Sequence, residues 1–180
     1  MSRGAERRGR AVFDASPLIF LSRVGLLKDA LDLFSESVVA ETVVVEIVET
    51  GRTLGSPETV GIESLLQADR ISVRAAAQTP LRKRLESNPR LSNADRDTIA
   101  LASERGARVL ADDAAVRNVA RHLGIPLGGT LYVLFTLVDE RRVEPERGLD
   151  YLDQLIDAGW YCSAQLYGAA RKGLESRRTA

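Results

Sequence analysis

Acidic residues that directly follow short apolar runs are the side chains of this sequence best suited to chemistry. Asp14 follows the apolar run 11–13, and the pair Asp112 and Asp113 follows the run 109–111. Each run predicts a buried strand, so each acid is expected where a strand ends. Carboxylates gathered at the ends of parallel strands form an oxygen-rich, negative pocket of the kind that Mg²⁺ or Mn²⁺ occupies.

Helix capping is the structural alternative for these strand-end acids. Asp14 precedes Ser16 and Pro17, a common start of a helix, but Ser16 can provide the cap and leave Asp14 free. Asp112 and Asp113 also precede a predicted helix, and only one of two adjacent carboxylates is needed to cap it. Residue types alone support capping and metal binding by the pair about equally.

Glu46 lies on a predicted helix that is rich in valine. Val43 and Ile47 fall on one side of this helix, whereas Glu46 and Glu49 fall on the other. The periodicity by itself therefore predicts only a solvated face for Glu46.

Asp95 lies at the start of another predicted helix, three residues after Ser92. This spacing is a capping-box pattern, so a structural role is available. Asp95 also stacks above Ile99 on the apolar stripe, whereas Asp97 stacks with Glu104 and is predicted to face water. A carboxylate on an inward stripe needs a partner or a cation, which makes Asp95 a candidate ligand.

Other kinds of catalytic centre find little support in the residue inventory. His122 and Cys162 are the only histidine and cysteine, which excludes a zinc site of the usual spacing. His122 comes late in a predicted helix, where a cation is favourable, and is interpreted as structural. There is no Gly-x-Ser-x-Gly turn for a nucleophilic serine, and the segment 128–130 lacks the lysine of a phosphate-binding loop.

Length and composition are typical of a globular domain. The chain has 180 residues, 44% of them hydrophobic, which predicts one domain with a sizeable core. A single cysteine, Cys162, fits a reducing cytoplasm. No run approaches the ~18 apolar residues of a membrane span, and no apolar signal segment follows the arginines of residues 3–10. We therefore expect a cytoplasmic protein without membrane contact.

Basic residues are clustered although the net charge is zero. The 25 basic residues cancel the 25 acidic ones, so overall charge does not indicate a nucleic-acid-binding protein. The clusters lie at residues 3–10, 82–84, 141–142 and 171–178. The internal cluster Arg82, Lys83 and Arg84, or else the terminal arginines, is the candidate for contacts with phosphates, and solvated surface is the alternative for each cluster.

Short apolar runs alternate with longer helical stretches along the chain. This alternation predicts an α/β fold in which a parallel sheet carries helices on both faces. The predicted strands lie at residues 11–14, 37–40, 71–74, 108–111 and 125–127. The predicted organisation is a basic arm at 1–10, a domain at 11–160 and a C-terminal extension at 161–180, whose last eight residues look like a tail.

Two intervening regions are predicted with less regular structure. A helix is expected to end before Gly51, with a loop from Gly51 to Pro57. The segment 79–91, which contains two prolines, is expected to be rich in loops.

Taken together, these motifs resemble the PIN-domain family of metal-dependent ribonucleases, most closely the branch related to VapC-type toxins. In this chain Ala94 and Asp95 stand where that branch usually has Gly-Glu, and Ala111, Asp112 and Asp113 stand where the commoner form has Thr-Asn-Asp. The stretches that carry the resemblance are residues 12–19, 43–47, 94–102, 109–113 and 123–131.

The resemblance implies a three-layer α/β/α sandwich with a central parallel sheet, and with it a set of site residues and a cofactor. The implied catalytic acids are Asp14, Glu46, Asp95 and Asp113. The implied ligands of Mg or Mn are Asp14, Asp95, Asp112 and Asp113. Ser16 and Thr130 match positions that support the site by hydrogen bonding.

The resemblance also implies a function: a metal-dependent endoribonuclease, with RNA as substrate, that acts as the toxin of a toxin–antitoxin pair. An antitoxin protein and a second copy of the chain are the protein partners it allows. The alternative is a non-catalytic PIN-like module that binds RNA or a protein. A phosphoacceptor receiver domain is disfavoured, because receivers carry an acidic pair after the first strand and a lysine after the last, and residues 125–131 contain no lysine.

Overall fold

Five short parallel strands form the centre of the protein in a computed structural model that describes residues 9–54 and 57–178. Their order across the sheet is β3-β2-β1-β4-β5, and each neighbouring pair is parallel. The predicted parallel sheet is confirmed. The strands are β1 (Ala11–Phe13), β2 (Ser37–Ala40), β3 (Ser72–Arg74), β4 (Arg108–Leu110) and β5 (Leu127–Gly128).

Helices flank the sheet and complete the α/β fold that the alternation predicts. The chain moves from β1 to β3 in one direction and from β4 to β5 in the other. Right-handed crossovers therefore place the intervening helices on opposite faces of the sheet. The helices are α1 (Ala15–Arg23), α2 (Leu27–Asp32), α3 (Glu41–Leu54), α4 (Pro57–Gln67), α5 (Pro80–Leu85), α6 (Asn93–Arg105), α7 (Ala114–His122), α8 (Thr130–Asp139), α9 (Pro145–Asp157) and α10 (Ala164–Arg177).

The three central strands are buried except at Arg108, because apart from Arg108 and Ser37 their residues are apolar on both faces of the sheet. Phe13 of β1 is in register with Val39 of β2 and Leu110 of β4, and all three are inaccessible to solvent. Phe13 also meets Phe34 edge to face, with the ring centroids 5.9 Å apart. This core fixes the position at which β1 ends.

The ends of β1 and β4 lie at the point where the chain direction across the sheet reverses. β1 leads towards β2, whereas its other neighbour, β4, leads towards β5. Ligands of open α/β sheets bind in the crevice at such a point, beyond the carboxyl ends of the strands. Asp14 follows β1 and Asp112 comes two residues after the end of β4, so both acids lie at this crevice.

Two glycines follow the ends of helices, whereas a third lies inside one. Gly25 and Gly106 have φ values of 75° and 58°, and each follows a helix that ends just before it. The predicted end of a helix before Gly51 is wrong, because α3 continues to Leu54. A Cβ at Gly51 would collide with the Thr59 side chain of α4, so this glycine permits close packing of two helices.

Three other elements differ from the prediction. A short helix, α5, occupies part of the segment expected to be loop, because Thr79 caps it by accepting a hydrogen bond from the backbone N–H of Arg82 at 3.1 Å. β5 lies at Leu127–Gly128 rather than 125–127. The expected C-terminal tail is helical as far as Arg177, because α10 buries two apolar residues against α8 and α9.

The ends of the chain and the absence of a membrane-spanning helix among the described residues complete the description of the fold. Most of the predicted basic arm, and residues 179–180, lie outside them. Within residues 9–54 and 57–178, no helix is long and apolar enough to cross a membrane.

Candidate active site

Asp14 lies at the end of β1 with only 6% of its surface exposed. Its backbone N–H donates to the carbonyl of Leu110 at 2.9 Å, which extends the pairing between β1 and β4 past Phe13. Asp14 occupies the cap position of α1, yet its side chain makes no capping hydrogen bond to this helix. Capping therefore does not account for this buried carboxylate.

The electrostatic surroundings of Asp14 are unfavourable to its charge. Burial, the largest cause, together with the negative charges of Asp95, Glu46 and Asp112, raises the pKa of Asp14 from 3.8 to about 7. The nearby backbone N–H of Ala15 opposes this effect. Three other acids that the sequence singles out are thus close enough to Asp14 to disfavour its charge.

Asp112 is the member of the acidic pair that faces Asp14. Its Oδ1 accepts a hydrogen bond from the backbone N–H of Thr130 at 2.8 Å, and its Oδ2 accepts one from the Thr130 hydroxyl at 2.6 Å. The indole Nε1–H of Trp160 also donates to Oδ2, at 3.1 Å. A Cβ at Gly129 would collide with Oδ1, so the close approach of this carboxylate to the chain requires glycine.

Asp113 points away from these acids and caps α7. Its Oδ1 accepts hydrogen bonds from the backbone N–H groups of Ala115 at 2.7 Å and Val116 at 3.1 Å. The side chain is exposed. The sequence left open which of the two adjacent acids caps the helix and which lies at the crevice. Asp113 is the cap, and Asp112 lies at the crevice.

Asp95 combines a capping role with a position near Asp14. It forms a full capping box with Ser92, accepting from the Ser92 backbone N–H at 2.7 Å and donating its own N–H to the Ser92 hydroxyl at 3.1 Å. It is also the charge that contributes most to the raised pKa of Asp14.

Glu46 lies on the exposed side of α3, as its periodicity predicts. Desolvation, followed by the charge of Asp95, raises its pKa. An open groove of about 490 Å³ runs between α3 and the start of α6, and Glu46 lines it together with Thr42 and Ser92. Glu46 thus faces the solvent side of the acidic group.

The two supporting residues differ in their surroundings. Thr130 is fully buried and holds both oxygens of Asp112. Ser16 lies inside the first turn of α1 and is not its cap residue, since that position belongs to Asp14.

Comparison with known protein families agrees with this arrangement. A PIN-domain family model matches residues 10–176, from the start of β1 to the end of α10. The chain belongs to the PIN-domain family. PIN domains are generally nucleases that bind nucleic acid and use divalent metal ions. No curated protein matches the chain.

The acids of this PIN domain fit a divalent metal ion by chemical type. Asp14, Glu46, Asp95 and Asp112 offer the hard oxygen ligands that such ions prefer. Across the described part of the chain, no three carboxylate, cysteine or histidine side chains are gathered tightly enough to hold an ion as they stand. The repulsion that raises the pKa of Asp14 is the interaction that a cation would relieve.

The prediction that Arg82 contacts nucleic acid is wrong, because this arginine is buried, with 6% of its surface exposed. Its Nε–H donates to Asp97 in a close ion pair, and its Nη1 contacts Glu86 at 3.1 Å. The other two members of the basic cluster, Lys83 and Arg84, are exposed on α5.

The prediction that Asp97 faces water is also wrong. Asp97 is 8% exposed and accepts a hydrogen bond from the Thr42 hydroxyl at 2.9 Å, in addition to its ion pair with Arg82. The physical reason is α5, a helix in a segment predicted to be loop, because it packs against this side of α6.

Two contact residues of the site are not predicted from the sequence. Arg117 of α7 donates from Nη1 to the carbonyl of Ala111 at 3.0 Å and to that of Gly128 at 2.8 Å, which joins the ends of β4 and β5. Trp160 donates to Asp112. Neither residue belongs to a local motif, and the only sequence signal was that Trp160 is the single tryptophan of the chain.

Proposed function

We propose that this protein is a metal-dependent endoribonuclease that hydrolyses phosphodiester bonds of RNA with Mg²⁺ or Mn²⁺ as cofactor. The observation that carries this proposal is the buried Asp14 carboxylate, whose pKa is raised to about 7 by burial and by three further acids. A buried carboxylate surrounded by like charges is costly to a fold. Binding a cation there compensates that cost. If the four acids had only a structural role, nothing would compensate it.

Each acid has a role in this proposal. Asp14, Asp95 and Asp112 would hold the metal. Asp113, the fourth ligand that the sequence suggests, caps α7 instead. A bound divalent ion would activate a water molecule and neutralise charge on the phosphate. Glu46, exposed beside the groove and with a raised pKa, is suited to take up a proton from that water.

The matched pair Asp112→Asn and Asp113→Asn tests the proposal directly. Asp112→Asn should reduce Mn²⁺-dependent cleavage of single-stranded RNA strongly, because it removes a ligand charge. Asp113→Asn should retain most of the activity, since asparagine is also a good cap for α7. Cleavage is followed on a labelled RNA of about 20 nucleotides with Mg²⁺, with Mn²⁺ and with EDTA.

Cleavage by the wild type in EDTA, or equal activity of the two variants, would contradict the proposal. Binding of RNA without cleavage under any metal condition would favour the non-catalytic module instead. If cleavage is confirmed, growth arrest on expression of the wild type but not of Asp112→Asn would support the further proposal of a toxin whose partner is an antitoxin.

Lys83 and Arg84 are proposed to contact RNA phosphates. They are exposed on α5, next to Arg82, whose partner Asp97 lies two residues from Asp95. Replacing both with glutamine should weaken RNA binding and reduce the slope of log affinity against log salt by roughly 0.7 for each lost contact with single-stranded RNA.

The matched control for this prediction is Lys28→Gln. Lys28 is an exposed lysine on α2, beyond the end of α1 that is far from Asp14. It should leave the slope unchanged. A slope unaffected by the double variant would show that RNA approaches by another surface.

A further inference from the structure

Trp160 connects the C-terminal helices to the acidic site. It lies in the segment between α9 and α10, is buried, and donates from its indole Nε1 to Oδ2 of Asp112 at 3.1 Å. The two residues are 48 positions apart in the sequence. This hydrogen bond joins a segment beyond the five-stranded sheet to the end of β4.

The indole completes the set of donors around Asp112. Two of its hydrogen bonds come from Thr130, which begins α8 directly after β5. The third comes from Trp160 and shares Oδ2 with the Thr130 hydroxyl. An indole N–H can only donate, so it holds Oδ2 of Asp112 as an acceptor in one orientation.

The backbone around Trp160 is held in place on both sides. Gly159 has a φ of 90°, which lets the chain turn at the end of α9, and the backbone N–H of Trp160 donates to the carbonyl of Leu155 at 2.9 Å. Arg23, at the end of α1, donates from Nη1 to the carbonyl of Ala158 at 2.9 Å. The indole therefore projects from a fixed segment, as a group that orients another side chain must.

We propose that Trp160 is a positioning residue of the metal site, which orients Asp112 and makes the α9–α10 connection part of the active centre. The proposal rests on the proposed function, since it assigns a metal ligand to Asp112. Partners that orient metal ligands typically contribute roughly 10- to 100-fold to metal affinity. We therefore expect Trp160→Phe, which removes the N–H and keeps an aromatic ring, to weaken Mn²⁺ binding about tenfold.

Tyr167→Phe is the matched control. The Tyr167 hydroxyl donates to Oδ1 of Asp153 at 2.6 Å, so this variant also removes one hydrogen bond from an aromatic side chain to an aspartate. Both partners belong to α9 and α10, and neither is one of the four acids at the site. Loosening of the C-terminal helices should affect both variants, whereas orientation of Asp112 should affect only Trp160→Phe.

Isothermal titration calorimetry with Mn²⁺ measures the affinity of full-length wild type, Trp160→Phe, Tyr167→Phe and Asp14→Asn, and thermal melts in EDTA record the stability of each. A weaker affinity in Trp160→Phe, with wild-type affinity in Tyr167→Phe, supports the proposal. Wild-type affinity in Trp160→Phe overturns it, as does an equal loss in both aromatic variants. If Trp160→Phe melts too low to titrate at 25 °C, the same comparison is made at 10 °C.

The single tryptophan supplies a second readout that does not depend on the Phe variant. Mn²⁺ bound beside Asp112 should quench the emission of Trp160 in the wild type with the same midpoint as the calorimetric titration.

Weak binding by Asp14→Asn together with unaltered binding by Trp160→Phe would overturn the positioning role alone. Equal binding by wild type and Asp14→Asn would overturn the proposed metal site and, with it, the role of Trp160.

Discussion

Asp14→Asn should abolish RNA cleavage while leaving the metal-free protein at least as stable as the wild type at pH 8. Loss of a partner that only orients a ligand typically costs about 10- to 100-fold in activity, so loss of the central ligand itself should exceed that range. The same substitution removes a buried charge that burial and three neighbouring acids disfavour. Activity and metal-free stability should therefore change in opposite directions.

The raised pKa of Asp14 makes the stability of the metal-free protein depend on pH. The pKa of Asp14 is raised from 3.8 to about 7 in the folded protein. Below pH 3.8 the group is protonated in both the folded and the unfolded state and costs nothing. As pH rises towards 7 the unfolded state loses its proton first, so the folded state loses stability, and above about pH 7 the loss is complete.

The expected loss is on the order of 4 kcal/mol for wild type in EDTA, from about 1.4 kcal/mol for each pKa unit. Asparagine does not titrate, so the stability of Asp14→Asn relative to wild type should increase between pH 5 and pH 7 and then level off. Thermal melts of both proteins in EDTA, at half-unit steps from pH 5 to pH 8.5, measure this difference.

Addition of Mn²⁺ completes the test. A bound ion stabilises the folded state by RT ln(1 + [Mn²⁺]/Kd), so the wild type should gain melting temperature and Asp14→Asn, with its weaker affinity, should gain much less. Asp113→Ala is the control, because it loses the cap of α7 at a cost of about 1 kcal/mol and should keep the response to metal. A flat pH profile of the difference, or equal metal responses, would mean that Asp14 is not a strained ligand.

The strand ends and their acids were predictable from sequence because short apolar runs fix where buried strands lie. The run 11–13 predicted β1, and the core around Phe13 then determines the place of Asp14. The choice between Asp112 and Asp113 was not predictable in this way. Both residues follow the same strand, and only their hydrogen bonds, to Thr130 and to the start of α7, distinguish them.

Long-range contacts account for the other positions at which the structure differs from the sequence-based predictions. Trp160 meets Asp112 across 48 residues, a separation at which neither periodicity nor a local motif carries information. Asp97 was placed on the wrong side of α6 because a helical wheel divides a helix into a core side and a water side. A short helix such as α5 can cover the second side as well, and then a polar residue there becomes buried.

Asp97→Ala should destabilise the protein by about 3 kcal/mol, because it leaves the buried Arg82 without its closest partner. Arg82 keeps its contact with the more exposed Glu86, which places the expected loss at the lower end of the range for broken buried ion pairs. Urea denaturation at pH 7 in EDTA measures it. Glu104→Ala, an exposed acid on the same helix, should change the free energy of unfolding by no more than about 0.5 kcal/mol.

A double-mutant cycle with Arg82→Met separates the ion pair from other effects of the substitution. The two side chains are in direct contact, so their losses should not add, and a coupling energy of roughly 1–3 kcal/mol is expected. A coupling energy near zero would mean that Asp97 acts through Thr42 alone.

Asp97 also links the two helices that carry Glu46 and Asp95 of the proposed site. Thr42 lies one helical turn before Glu46 on α3, and Asp97 lies two residues after Asp95 on α6. The hydrogen bond between Thr42 and Asp97 therefore holds together the two helices that bring these acids near each other. Asp97→Ala should weaken Mn²⁺ binding even at temperatures where the variant is fully folded, and Glu104→Ala should not. Unchanged Mn²⁺ affinity in a folded Asp97→Ala protein would limit the role of Asp97 to stability, since Glu46 and Asp95 would then keep their positions without it.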